Sequence, residues 1–357
     1  MEIQIDDQTI THADAAPTKG PLQLLFALLA LAVLVLAALI AIVLLIPDEN
    51  DYAKSVLVKH QRLESLTGPK VVMIGGSNLA YGFESERIEQ VTGLPAVNMG
   101  MNGYFGSRYM LNEVKGNLKS GDVVVIAFEW DNFSKSVDGS ATDLFVILRT
   151  KPSAFAHYTP KQAALAASAL PSVAQAKALR IIRDSVDQAF NRLGLPMNVD
   201  ERAALMNQIE SVRHFDTEGD LNGHTGIDWG PPLETSREIT TYGLNTDLIR
   251  LIKDFAKEMN ERGVTTIMSY TPTMREYYET QKDPITEAHR LLTSGPDAVY
   301  APRPPEAFVF DKSYFFDNVY HLRTTTRGER TQMVAEDINR ALTLPTATSA
   351  ASERSLP

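Results

Sequence analysis

The stretch Val71-Val72-Met73-Ile74-Gly75-Gly76-Ser77-Asn78 decides how the rest of the chain reads. Four apolar residues running into paired glycines are the pattern of a short parallel strand, buried on both faces and ending in a tight turn. Ser77 then stands at the carboxyl end of that strand, where a helix opens. Open α/β sheets build their sites along that edge. The glycines permit the turn, and the first N–H groups of the helix have no partner within it, so they are free to meet an anion. A nucleophilic serine needs this exposure and this field. A glycine-serine turn alone is common and carries little weight.

Further along the chain, Ala96-Val97-Asn98-Met99 is a weaker second strand. Residues 122–128 (DVVVIAF), entered through Ser120-Gly121, are a strong third. Helical stretches over 84–92 and 107–118 separate them. Strand–helix–strand–helix–strand predicts a parallel sheet with crossover helices. Residues 131–243 interrupt the pattern with an insertion that is largely helical over 160–212. Within it, residues 214–228 (HFDTEGDLNGHTGID) form an acidic stretch without EF-hand spacing, expected to be a solvated loop or lid rather than a metal site. The α/β rhythm then resumes. Leu248, Leu251, Ile252, Phe255 and Met259 have helical spacing, Gly263 is a C-terminal cap, and 265–270 is a fourth strand. A last helix covers 328–342. Residues 70–342 thus read as one doubly wound α/β domain with an insertion, and 343–357 as a disordered tail.

The N-terminal part reads differently. Leu24 to Ile46 is a run of 23 apolar residues. As a helix it reaches roughly 35 Å, enough for a bilayer core of about 30 Å. The acidic residues before it, its length and the Pro47-Asp48 that follows all argue against a cleaved signal peptide. The expectation is a disordered tail over 1–20, a membrane-spanning helix over 21–47 and a juxtamembrane helix or linker over 48–69. Only Lys19 precedes the span closely, whereas Lys54, Lys59 and Arg62 follow it. Taken literally, that count puts the large domain in the cytoplasm.

Composition narrows the chemistry. There are 34 Lys and Arg against 44 Asp and Glu, a net charge of -10, which argues against a nucleic-acid partner. The absence of cysteine removes disulfides, thiolate metal sites and thiol catalysis. No P-loop and no clear metal-ligand cluster is present, so neither metal nor cofactor is expected.

Three further segments share the sheet edge with Ser77. The second strand ends in Asn98-Met99-Gly100-Met101-Asn102-Gly103, and the third in Phe128-Glu129-Trp130-Asp131-Asn132. Near the C-terminus comes Phe315-Phe316-Asp317-Asn318-Val319-Tyr320-His321-Leu322. An Asp just before a His, in a loop leading to the last helix, can orient an imidazole as a general base. Together these segments resemble the SGNH, or GDSL-like, hydrolase superfamily over about 70–130 and 245–342. The resemblance implies a flavodoxin-like sheet and a catalytic set of Ser77, His321 and Asp317. It also implies an oxyanion hole made by the Ser77 and Gly103 N–H groups. Two features depart from the pattern. Asp317 lies four residues before His321 rather than three, a place that Asn318 takes, and no Asn aligns at the end of the third strand. Asn102 or Asn78 is the expected substitute donor. Glu129 and Thr271, at strand ends on the same edge, are the expected substrate contacts.

With the span, the resemblance extends to anchored proteins of envelope polysaccharide O-acetylation. It implies a serine acyltransferase or esterase acting on a cell-envelope glycan. It further implies an acyl donor, a multi-span membrane acyltransferase as partner, and a soluble domain on the periplasmic side, against the Lys and Arg count. The alternative is an inactive module of the same fold that binds a glycan or scaffolds a membrane assembly, as the two departures would suggest.

Overall fold

The computed structural model describes residues 20–48, 50–194, 200–234, 236 and 238–343. The tails expected over 1–20 and 343–357 lie almost wholly outside these residues. The apolar run forms α1 (Pro21–Leu45), a helix long and apolar enough to cross a membrane, with nearly every side chain exposed. A short 3₁₀ turn (Tyr52–Lys54) and α2 (Ser55–Ser65) lead from it into the domain.

The α/β reading is met. Strands β1 (Val71–Gly75), β2 (Ala96–Asn98), β3 (Val123–Ala127) and β4 (Thr265–Met268) form one parallel sheet in the order β2-β1-β3-β4. Val71 pairs with Ala96 on one side and Val123 on the other, and Val123 pairs with Thr265. Every residue of β1 and β3 is buried, which is why both strands appear as unbroken apolar runs rather than alternating ones. Tyr300 adds one parallel bridge outside β4.

After β1 come α3 (Ser77–Gly82) and α4 (Ser85–Thr92), and after β2 comes α5 (Ser107–Lys115). The insertion folds as α6 (Ala141–Thr150), α7 (Pro160–Ser168), α8 (Leu170–Arg192), α9 (Glu201–Ile209) and α10 (Ile239–Tyr242). Then follow α11 (Thr246–Glu261), a strand β5 (Thr273–Met274), α12 (Arg275–Thr293), a strand β6 (Val309–Phe310) and α13 (Arg327–Thr343). Helix α4 packs against α13, and α5 against α11. β5 and β6 form a separate two-stranded parallel pair.

Helix α8 crosses the end of α1. Val43 packs among Ala169, Val173 and Ala174. Lys177 Nζ donates to the carbonyls of Val43 and Ile46, and Arg180 donates to that of Pro47. These cations satisfy carbonyls that the last turn of a helix leaves open.

The expectation of a solvated acidic loop over 214–228 holds for Thr217, Thr225, Gly226 and Asp228, which are exposed, and is corrected for the middle of the segment. Asp220 and His224 are buried. Asp220 accepts from the N–H and hydroxyl of Ser85 and from Asn98 Nδ2. Below it, buried Lys59 donates to the carbonyls of Asn98 and Gly219. Burial pulls the Lys59 amine down to about 7 and pushes the Asp220 carboxyl up to about 6. The segment straps α2, α4 and β2 together. Residue type alone pointed to water because the buried lysine lies 160 positions away in sequence.

Candidate active site

Ser77 opens α3 at the end of β1, so its N–H has no acceptor within the helix. Gly76 must lack a side chain, because a Cβ there would occupy the space of the Glu129 carboxyl. In front of Ser77 lies a cleft of about 220 Å³, bordered by Tyr52, Gly103, Glu129, Glu210 and His321.

The fold brings His321 to Ser77 across 244 positions of sequence, with Nε2 at 2.8 Å from Oγ. His321 Nδ1 lies 2.8 Å from Asp317 Oδ1. The four-residue spacing has a local cause. Asn318 Oδ1 accepts from the N–H groups of Tyr320 and His321, at 2.9 and 3.1 Å, an Asx turn that curls the chain back. Asn318 therefore shapes the turn, its Nδ2 lies 3.0 Å from His321 Nδ1, and Asp317, one residue earlier, reaches the same ring nitrogen. Backbone pairing of Phe316 N–H with the His321 carbonyl closes the loop.

Tyr81, one helical turn after Ser77, lies flat against the imidazole, with ring centroids 3.9 Å apart and planes 5° from parallel. Its hydroxyl donates to Glu210 Oε1 at 3.0 Å. Burial pulls the His321 imidazole down, but the charge and hydrogen bond of Asp317, with Glu210 behind them, hold it above the ordinary histidine value. An imidazole whose cation is stabilised in this way is suited to taking a proton from Ser77.

The other predicted residues divide. The Gly103 N–H opens the 3₁₀ turn Gly103–Phe105 beside the cleft. Asn102 borders the cleft while its Oδ1 caps that turn through Tyr104 N–H. Glu129 Oε1 accepts from Asn78 N–H at 2.7 Å and lies 3.4 Å from Ser77 Oγ.

Asn78 is corrected as a substitute donor. Its Nδ2 donates to the Ala127 carbonyl and its Oδ1 accepts from Arg330, so both ends point into the interior. Thr271 is corrected as a substrate contact. It is buried, its hydroxyl turns to the Pro272 carbonyl, and it is not part of the cleft wall. Strand ends on a buried sheet point partly inward, and chain position does not distinguish the two directions.

Sequence reasoning missed Tyr52, Tyr81, Tyr104, Asn132, Lys135 and Glu210. Tyr81 was accessible through its i+4 spacing from Ser77. Asn132, three residues past Glu129, reaches the cleft because a 3₁₀ turn (Trp130–Ser134) follows β3, and its Nδ2 donates to the Gly103 carbonyl at 3.0 Å. Tyr52 and Glu210 come from the juxtamembrane turn and the insertion, where no motif marks them.

Among the described residues no cluster of His, Asp or Glu has the geometry to hold a metal ion. The arrangement supplies a hydroxyl, an oriented base and backbone N–H groups at the opening of a helix and of a 3₁₀ turn, the parts that acyl transfer through serine requires. No known protein-family model matches this chain, and no curated protein matches it.

Proposed function

We propose that this chain is a membrane-anchored serine acyltransferase or esterase of SGNH type that acts on a cell-envelope glycan. The observation that carries the reading is the continuous hydrogen-bonded series Ser77–His321–Asp317 at the carboxyl edge of the sheet. His321 Nε2 takes the hydroxyl proton as Ser77 Oγ bonds to the acyl carbon, and the carbonyl electrons move onto its oxygen. The Ser77 and Gly103 N–H groups hold that oxyanion. Collapse breaks the bond to the leaving alcohol, which receives the proton from His321. Water or a sugar hydroxyl then attacks the acyl-serine by the same route.

The strand order supports a flavodoxin-like, doubly wound fold, since it reverses direction at β1 and β3, and Ser77 and Glu129 follow those two strands. A cleft bordered by Tyr52, Tyr104, Asn102, Asn132, Asp131 and Lys135 offers the flat and hydrogen-bonding surfaces that a sugar engages. Tyr52 stands seven residues beyond Leu45, so the cleft wall lies within about 25 Å of the end of α1 along the chain. A substrate or acyl donor is therefore met close to the membrane, which suits delivery by a multi-span partner.

A reporter active only outside the cytoplasm, fused after Pro357, is expected to be active. Activity only of a cytoplasmic reporter would overturn the envelope assignment. For the chemistry, the purified full chain is incubated with p-nitrophenyl acetate and an envelope oligosaccharide. Release of nitrophenol reports acylation of the serine, free acetate establishes hydrolysis, and mass spectrometry showing an acetylated sugar establishes transfer.

Asp317→Asn is expected to lower ester hydrolysis by about 10⁴-fold, because the amide cannot stabilise the imidazolium and favours the wrong tautomer. Asn318→Ala removes the turn-forming acceptor and is expected to cost about tenfold. Equal losses would mean that Asp317 acts through loop geometry alone.

A further inference from the structure

Glu129 is unusual for a residue beside an oxyanion hole, where a carboxylate would repel the developing charge. It is buried, and Oε1 is held 2.7 Å from Asn78 N–H and 3.4 Å from Ser77 Oγ. Oε2 is closed off between Gly76 and Gly103 and has no hydrogen-bond partner. Gly76 and Glu129 are fitted to one another, since any side chain at position 76 would collide with this carboxyl. Asn132, further along this strand end, has its Nδ2 turned to the Gly103 carbonyl. Glu129 Oε1 is thus placed beside the hydroxyl that reacts.

We propose that Glu129 works as a neutral carboxylic acid whose O–H is a third donor to the oxyanion formed on the acyl group bound to Ser77. The inference rests on the serine acyl-transfer reading given above. The acid keeps its proton throughout. It donates a hydrogen bond as charge develops, so no proton is gained or lost in the step. Burial pushes the Glu129 carboxyl above the usual range, the Asn78 donors oppose this, and the neighbouring Asp131 adds to it. The other titratable groups facing it are His321 from the catalytic loop, Tyr52 from the juxtamembrane turn and Arg330 from α13. His321 and Arg330 favour the ionised acid when they are charged. The productive state has His321 neutral and Glu129 protonated. Protonation of His321 removes the base and ionisation of Glu129 removes the donor, so each lowers activity.

The test compares the full chain with Glu129→Gln and Glu129→Ala in p-nitrophenyl acetate hydrolysis across pH. Gln keeps a donor at the same place but does not titrate. It is expected to retain activity within about tenfold and to lose the alkaline limb. Ala is expected to lose about 10²–10³-fold, the usual effect of one oxyanion donor. The infrared C=O band of a protonated carboxyl should be present at neutral pH in the wild type and absent in Glu129→Gln. That measurement does not depend on activity. The inference is overturned if Gln loses as much as Ala, if the alkaline limb persists in Gln, or if the band is missing. If the wild type itself shows no Ser77-dependent hydrolysis, the serine reading fails as well, and the two failures are told apart by that control.

Discussion

Ser77→Ala is expected to abolish covalent labelling by a fluorophosphonate and to lower ester hydrolysis by 10⁴-fold or more. Replacing a nucleophile that acts as one unit with its base and oxyanion hole typically costs on the order of 10⁶ in rate, and the residual activity comes from binding and the hole alone. The substitution removes one oxygen that is 2.8 Å from His321 Nε2. It leaves α3 intact, because alanine is a good helix former. Stability is therefore expected to stay near the wild type, while tagging by the probe disappears. Mass spectrometry of the labelled wild type should find the adduct on the peptide carrying Ser77. A label elsewhere, or one that survives Ser77→Ala, would remove the basis of the proposed mechanism. Retained function in cells with Ser77→Ala would favour a binding module over an enzyme.

Arg330→Met is expected to give the largest loss of stability. Arg330 is wholly buried in α13. Its guanidinium donates to the Asn78 carbonyl at 2.9 Å, to Asn78 Oδ1 at 2.7 Å and to the Tyr270 carbonyl at 3.3 Å. It also lies over the Phe83 ring, 4.5 Å from the centroid. Burial pulls it down to about 9, a measure of how strongly the interior opposes its charge and how much its acceptors must return. Methionine fills part of the volume but strands three buried acceptors, at about 1–3 kcal/mol each when left unsatisfied. A total of about 3–5 kcal/mol is expected in chemical denaturation of the full chain in detergent, followed by the fluorescence of its two tryptophans. Because Asn78 follows Ser77 directly, labelling of the folded fraction should also slow. Arg330→Lys keeps the charge but cannot reach both Asn78 oxygens, so a partial loss is expected. An unchanged midpoint in Arg330→Met would mean that the guanidinium does not hold α3 in place.

The residues read from the chain and those found only in the folded molecule differ in a consistent way. β1 and β3 were legible because strands covered on both faces are written as continuous apolar runs. Ser77 was legible because paired glycines mark the point where such a strand ends. His321 and Asp317 were legible as a local pair, yet the reason for their four-residue spacing lies in the Asn318 side chain, whose bonds to backbone N–H groups no spacing rule contains. Asn78 was misread because it neighbours Ser77 in sequence while its side chain turns the other way, to Arg330. Lys59 was counted as a topological charge but serves as a buried donor.

By itself the sequence determined the α/β class, the apolar helix and the position of a serine at a sheet edge. Each of these depends on side-chain pattern over a few consecutive residues, where the physics is local. Tertiary structure alone decided that Glu129 fits under Gly76, that Tyr52 and Glu210 from outlying segments wall the cleft, and that Asp220 and His224 of the acidic loop are buried. Those outcomes depend on burial and on partners brought from far along the chain. The charge state and role of a carboxylate follow from its surroundings, which residue identity does not carry.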